Sequence, residues 1–147
     1  MCVRACLASV VRCGCAIRAL TNRVDVGIVL PMKTLATIFK GLSDPIRLRI
    51  LALMLCNDEL CVCDVMEALR LPQSSTSRHL AYLKRCGWLM SRRSGVWIYY
   101  RLSNTPENVF PELLGFLKGR FASAEDIRVD REHLSLFMID KNRCSHD

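Results

Sequence analysis

The sequence predicts a mainly helical fold with one small β-hairpin, in the order α-α-α-α-β-β-α. Three observations carry this. Apolar residues recur at helical spacing from Met32 to about Arg85. A stretch rich in β-branched and aromatic residues follows over 88–102, divided by the turn signal Ser94-Gly95. Helical spacing then returns from Pro106.

Each element has a local reason. Leu35, Ile38, Phe39 and Leu42 give the first helix its apolar face, and Gly41 weakens its end. Ser43-Asp44-Pro45 starts the second, with a capping side chain followed by a proline whose missing N–H costs nothing in the first turn. This helix runs to about Cys56. It is apolar nearly all round, through Ile46, Leu48, Ile50, Leu51, Leu53, Met54 and Leu55, and so belongs at the centre of the core. A short third helix spans Asp64–Arg70 and is stopped by Leu71-Pro72. The fourth, Gln73–Arg85, turns Leu80 and Leu83 inward and ends near Gly87, a left-handed cap. Trp88–Arg93 and Val96–Leu102 form the hairpin, with Tyr99 and Tyr100 on opposite faces. Pro106–Phe121 is the last full helix, and residues 123–147 are expected to be a tail holding a short helix.

The chain has 147 residues, 51% hydrophobic and 24% charged, which fits one domain with tails. No run of 18 uncharged apolar residues exists, so a transmembrane helix is excluded and no membrane partner is expected. Residues 1–31 lack a clean period and are read as an N-terminal extension, with Met32 a candidate first residue and 32–122 the domain. The nine cysteines are odd in number and no secretory signal is visible, so a reducing, cytoplasmic setting is expected. There, close-set cysteines point to metal or redox chemistry rather than to a disulfide framework.

The net charge is +7, and one stretch carries all of it. Between Glu67 and Glu107 lie Arg70, Arg78, Lys84, Arg85, Arg92, Arg93 and Arg101 with no acid among them. A one-sign block within a folded region suggests a polyanion. Two short helices, a tight turn and a basic hairpin make a winged helix-turn-helix. The second helix of the pair must enter a major groove ~12 Å wide, so its leading residues should be short donors and acceptors. Gln73, Ser74, Ser75, Ser77, Arg78 and His79 fit that requirement, and Arg92 and Arg93 are placed to reach phosphates or the minor groove. Helix capping is the competing role for Ser74 or Ser75, and packing against the hairpin is the competing role for His79. Lys84 and Arg85 are expected on the DNA backbone.

Glu59-Leu60-Cys61-Val62-Cys63-Asp64-Val65, Ser77-Arg78-His79-Leu80-Ala81-Tyr82-Leu83-Lys84, Gly87 and Gly95-Val96-Trp97-Ile98-Tyr99-Tyr100-Arg101-Leu102 resemble the ArsR/SmtB metal-sensing repressors, most of all the arsenic branch. The resemblance covers residues 33–103. It implies a homodimer joined through 34–42 and 106–121, bound to an inverted repeat in double-stranded DNA, released by metal and active in arsenical resistance.

Cys61 and Cys63 are the implied ligands. Soft thiolates select As(III) or Sb(III), with Cd(II), Pb(II) and Zn(II) as alternatives. In an ideal helix, side chains two apart point about 200° away from each other. The two cysteines can therefore share an ion only if Cys61 lies at or before the helix start, or if binding unwinds that start. A helix N-terminus also favours thiolate. Closing the chelate would then distort the helix that packs on the recognition helix. Met66 stands where the arsenic pattern often has a third cysteine, and core packing is its expected role. Cys56 is a further candidate ligand, though expected as a buried small hydrophobe, and Cys86 is expected to be structural. Cys2 and Cys6 resemble the N-terminal thiolates of cadmium/lead sensors and would complete a four-sulfur site. Cys144, with His146, could supplement a site from the tail. Pro106–Phe121 has Glu107 and Glu112 but no histidine, so the family's zinc-type site is not expected.

Two other functions compete. A redox or persulfide sensor would use the same thiols covalently. A thiol enzyme would need a phosphate-cradling loop, a Cys-X-X-Cys or α/β alternation, none of which is present, so neither catalysis nor a small organic substrate is expected.

Overall fold

A computed structural model describes residues 31–103 and 111–144. The elements are α1 (Met32–Leu42), α2 (Pro45–Met54), β1 (Leu60–Cys61), α3 (Val62–Leu69), α4 (Gln73–Arg85), β2 (Leu89–Ser94), β3 (Trp97–Leu102), α5 (Pro111–Ala122) and α6 (Glu125–Cys144).

The signals around α2 act as read. Asp44 is its N-cap and its carboxylate accepts the Arg47 N–H at 3.1 Å, with Pro45 in the first turn. Ile50, Leu51, Ala52, Leu53 and Met54 are all buried, so α2 is the central helix of the core. Leu60, Val65, Leu80, Leu83 and Trp88 close around it. Trp88 also anchors α1, because its indole N–H donates to the Ile38 carbonyl at 2.9 Å. Gly41 is needed for that approach, since a Cβ there would lie 2.8 Å from the indole ring. The glycine that weakens the helix end is the one that admits the tryptophan.

Four sequence expectations are corrected. The sheet has three antiparallel strands in the order β1-β3-β2, not two, because Leu60 and Cys61 pair with Tyr100 and Tyr99. A two-residue strand is too short to show alternation. α3 begins at Val62 rather than Asp64, since Asp64 serves as the third residue of a capping box. α2 ends at Met54, two residues early. Finally, 125–144 is a 20-residue helix rather than a tail with a short one. Ile127, Asp130 and Leu134 share its buried face. Asp130 is 1% exposed and accepts two bonds from Arg49 of α2, the Nε one at 2.7 Å. A charge in an inward position hid the apolar period. α5 starts at Pro111 within the described residues, and the expected start at Pro106 lies outside them.

Gly87 (φ +83°) and Gly95 (φ +59°) take the left-handed conformations that the helix end and the hairpin turn demand. Tyr100 is buried and Tyr99 half-buried, as strand alternation requires. Among the described residues no helix is long and apolar enough to cross a membrane.

Candidate DNA-binding surface and thiol pair

α3 and α4 are joined by a three-residue turn. Arg70 adopts φ +54°, closing α3 with its N–H on the Met66 carbonyl. Pro72 is the N-cap of α4, and its carbonyl accepts the N–H groups of Ser75 and Thr76, each at 3.1 Å. No side chain caps α4, so neither Ser74 nor Ser75 is spent on that role and the capping alternative falls. Thr76, Leu80 and Leu83 bury one face of α4. Gln73, Ser74 and Arg78 stand exposed, while Ser75, Ser77 and His79 are half-buried. His79 Nδ1 lies 3.9 Å from Asp44 Oδ1, which turns it toward the start of α2.

Cations continue along α4 into the hairpin. Arg47 and Arg85 both lie over the Tyr82 ring, 4.3 and 4.9 Å from its centroid. Lys84 Nζ donates to Ser91 Oγ at 2.8 Å and so ties helix to hairpin. Arg93 is exposed and its Nε donates to the Gly95 carbonyl in its own turn at 3.0 Å. Arg92 differs. Its guanidinium donates two bonds to the Glu59 carboxylate, Nε to Oε1 at 2.7 Å, and lies 4.8 Å over the Tyr99 ring. The bond from Arg92 holds the Glu59 carboxyl below its ordinary range. The basic block therefore has a compensating acid, supplied from outside its own stretch. The hairpin tip also exposes apolar side chains, Val96 at 82% and Trp97 at 49%.

The two candidate thiols bracket the start of α3. Cys61 is the N-cap, extended at φ −85° and ψ 170°, and Cys63 is the second helical residue. The geometric condition for sharing an ion is thus met on the backbone. Cys61 is 1% exposed and Cys63 half-buried. Cys61 Sγ accepts the Asp64 N–H, while the Asp64 carboxylate accepts the Cys61 N–H at 2.7 Å. This reciprocal box is normally Ser/Thr with Glu or Gln. Here Cys-X-X-Asp fills it, a signal present in the sequence but masked by the use of cysteine and aspartate in place of the usual residues.

The other sulfurs separate from this pair. Met66 is half-buried. Cys86 is buried, and burial pushes its thiol up, away from the thiolate a metal needs. Cys56 is exposed, against expectation, because α2 ends before it, and its sulfur accepts a bond from Arg131 of α6. Cys2 and Cys6 lie outside the described residues, as do His146 and the side chain of Cys144. Among the described residues no three His, Cys, Asp or Glu side chains converge on a metal-sized site.

Residues 44–89, spanning the cap of α2 to the first residue of β2, match the family described as bacterial regulatory protein, arsR family. HlyU from Vibrio cholerae N16961 shares the fold with a TM-score of 0.51 at 35% identity, over 58% of this chain and 92% of that one. The chain belongs to the arsR family. The homodimeric winged helix-turn-helix DNA-binding domain Mb0332 from Mycobacterium bovis is similar too, at TM-score 0.53 and 26% identity over 67% of this chain and 89% of that one. Among curated relatives, the arsenic resistance transcriptional regulator ArsR1 of Pseudomonas putida is 51% identical over 65 residues, 44% of this chain. The chain spans about half that arsR-family relative, 51% of its length.

Proposed function

We propose that the protein is a homodimeric DNA-binding repressor released from its operator by a thiophilic metalloid, As(III) or Sb(III), captured by Cys61 and Cys63. The observation that carries this reading is the position of Cys61. It caps the first helix of the helix-turn-helix pair, in an extended conformation, two residues from Cys63. A soft trivalent ion suits such thiolates. The N-terminal end of α3 favours their ionisation.

The chain's own residues supply each remaining part. Gln73, Ser74 and Arg78 present amide, hydroxyl and guanidinium groups to base edges. Ser75, Ser77 and His79 flank them, and Arg93 serves phosphate. Arg92 reaches DNA only by leaving Glu59. Exposed Met32 and Phe39 on α1 and Phe116 on α5 form apolar faces suited to a second copy of the chain. Capture by Cys61 takes its sulfur from the Asp64 N–H and opens the start of α3, which packs on α4. The release step is this loss of order beneath the recognition helix. If the site takes a third sulfur, Cys56 and Cys144 are its candidates, and Cys2 and Cys6 would complete a four-sulfur site for Cd(II), Pb(II) or Zn(II).

The test is titration of reduced protein on its operator with As(III), Sb(III), Cd(II), Pb(II) and Zn(II). Release by the trivalent ions at one equivalent per protomer supports the reading. Release only by Cd(II) or Pb(II), lost on removal of residues 1–31, favours the four-sulfur site instead. Release by oxidant without any metal would replace metal capture with covalent thiol chemistry.

A further inference from the structure

Glu59, Cys61, Tyr99 and Arg92 form a continuous connection across the sheet. Cys61 in β1 lies opposite Tyr99 in β3, and Tyr99 lies opposite Arg92 in β2. The Arg92 guanidinium covers the Tyr99 ring and reaches the Glu59 carboxylate, two residues before Cys61. β1 is two residues long, so its hold on β3 rests on Leu60 and Cys61 alone. An exposed ion pair adds little to folding. A bidentate arginine–carboxylate pair, however, fixes geometry. What this one fixes is the wing against the segment that carries the thiols.

We propose that Glu59 is a positioning residue that clamps Arg92, and that the Cys61–Tyr99–Arg92 row transmits thiol capture to the wing. The proposal rests on the reading of Cys61 and Cys63 as the capture site. Drawing Cys61 toward Cys63 withdraws it from Tyr99 and carries Glu59 with it. The clamp opens and the hairpin loses its fixed angle to α4. With Cys61 also off Tyr99 the wing tilts away from the DNA, so the freed Arg92 finds no phosphate there, and operator affinity falls through the wing as well as through the recognition helix. In the uncaptured state Arg92 is neutralised by Glu59 and contributes no phosphate contact.

The test uses the full-length chain with Glu59→Gln, which keeps the shape of the side chain and removes its charge. Three quantities are measured: As(III) uptake by free protein, the ratio of operator Kd with and without As(III), and the salt slope of operator binding. As(III) uptake should be unchanged. The release ratio should fall about fivefold or more, the scale of an allosteric coupling. The salt slope should steepen by about one unit as Arg92 becomes free to meet a phosphate. Arg92→Lys, which keeps the charge but not the fork, should lower the release ratio as well, and the charge exchange Glu59→Arg with Arg92→Glu should restore it. An unchanged salt slope in Glu59→Gln would overturn the clamp. An unchanged release ratio with normal uptake would overturn the route. If wild-type protein takes up no As(III), the capture reading and the route fail together, while the salt slope still decides the clamp.

Discussion

The two ends of α3 are held in different ways. Its C-terminal half is fixed by packing: Ala68 and Leu69 are buried, α6 lies alongside, and His133 Nδ1 sits 3.2 Å from the Ala68 carbonyl. α6 is in turn locked to α2 by the Arg49–Asp130 pair. The N-terminal end is held by a two-residue strand, one reciprocal cap and the buried side chains of Leu60, Cys61 and Val65. Both candidate thiols lie at this end, Cys61 buried and Cys63 half-buried. A ligand captured there must gain enough to draw Cys61 out of its buried place, while the contacts with α6 at the other end stay intact. The difference explains how one short helix can be both part of the scaffold and the moving element.

Breaking the fixed end should cost most. Arg49→Ala leaves the Asp130 carboxylate buried without its partner, and should cost about 3 kcal/mol in urea unfolding, the low end of the range because the Arg49 side chain is 30% exposed. The As(III) release ratio of the remaining folded protein should stay as in wild type. Loss of release in that folded fraction would mean that α6 takes part in the switch. Next come the contacts of α4, the helix packed against α3. Arg78→Ala should cost ~1–3 kcal/mol on the cognate operator if its guanidinium reads a base, and Gln73→Ala the same. Discrimination between cognate and random duplex that survives both changes would remove this helix from the groove. The smallest effect belongs to the N-terminal end. Asp64→Ala deprives the Cys61 N–H of its acceptor and should cost about 1 kcal/mol of stability. It should also let As(III) act at a lower concentration, since the segment is already partly freed. A higher As(III) requirement would show that the cap assists capture instead of opposing it.

Much of this arrangement was legible in the sequence. The helix-turn-helix pair, the hairpin turn at Ser94-Gly95 and the proline start of α2 each rest on local signals, and each forms where those signals stand. The parts that were not legible depend on partners distant in the chain. Asp130 looks like a surface residue until Arg49, 81 positions away, neutralises it. Arg92 looks like a free cation until Glu59, 33 positions away, closes on it. Cys56, expected as a buried small hydrophobe, stands exposed beyond the end of the second helix at Met54. The candidate thiol pair is legible through the family resemblance, since helical spacing by itself sets the two side chains apart. Its strand pairing with Tyr99 is not, because two residues carry no periodicity.

The most direct test of the central claim is operator binding by the Cys61→Ser, Cys63→Ser double variant, with and without As(III). Serine keeps the capping ability of cysteine but supplies no soft thiolate. The variant should bind operator with wild-type affinity and should stay bound when As(III) is added. Full release by As(III) would place the sensor elsewhere in the chain, with Cys56 and Cys144 the next thiols to replace.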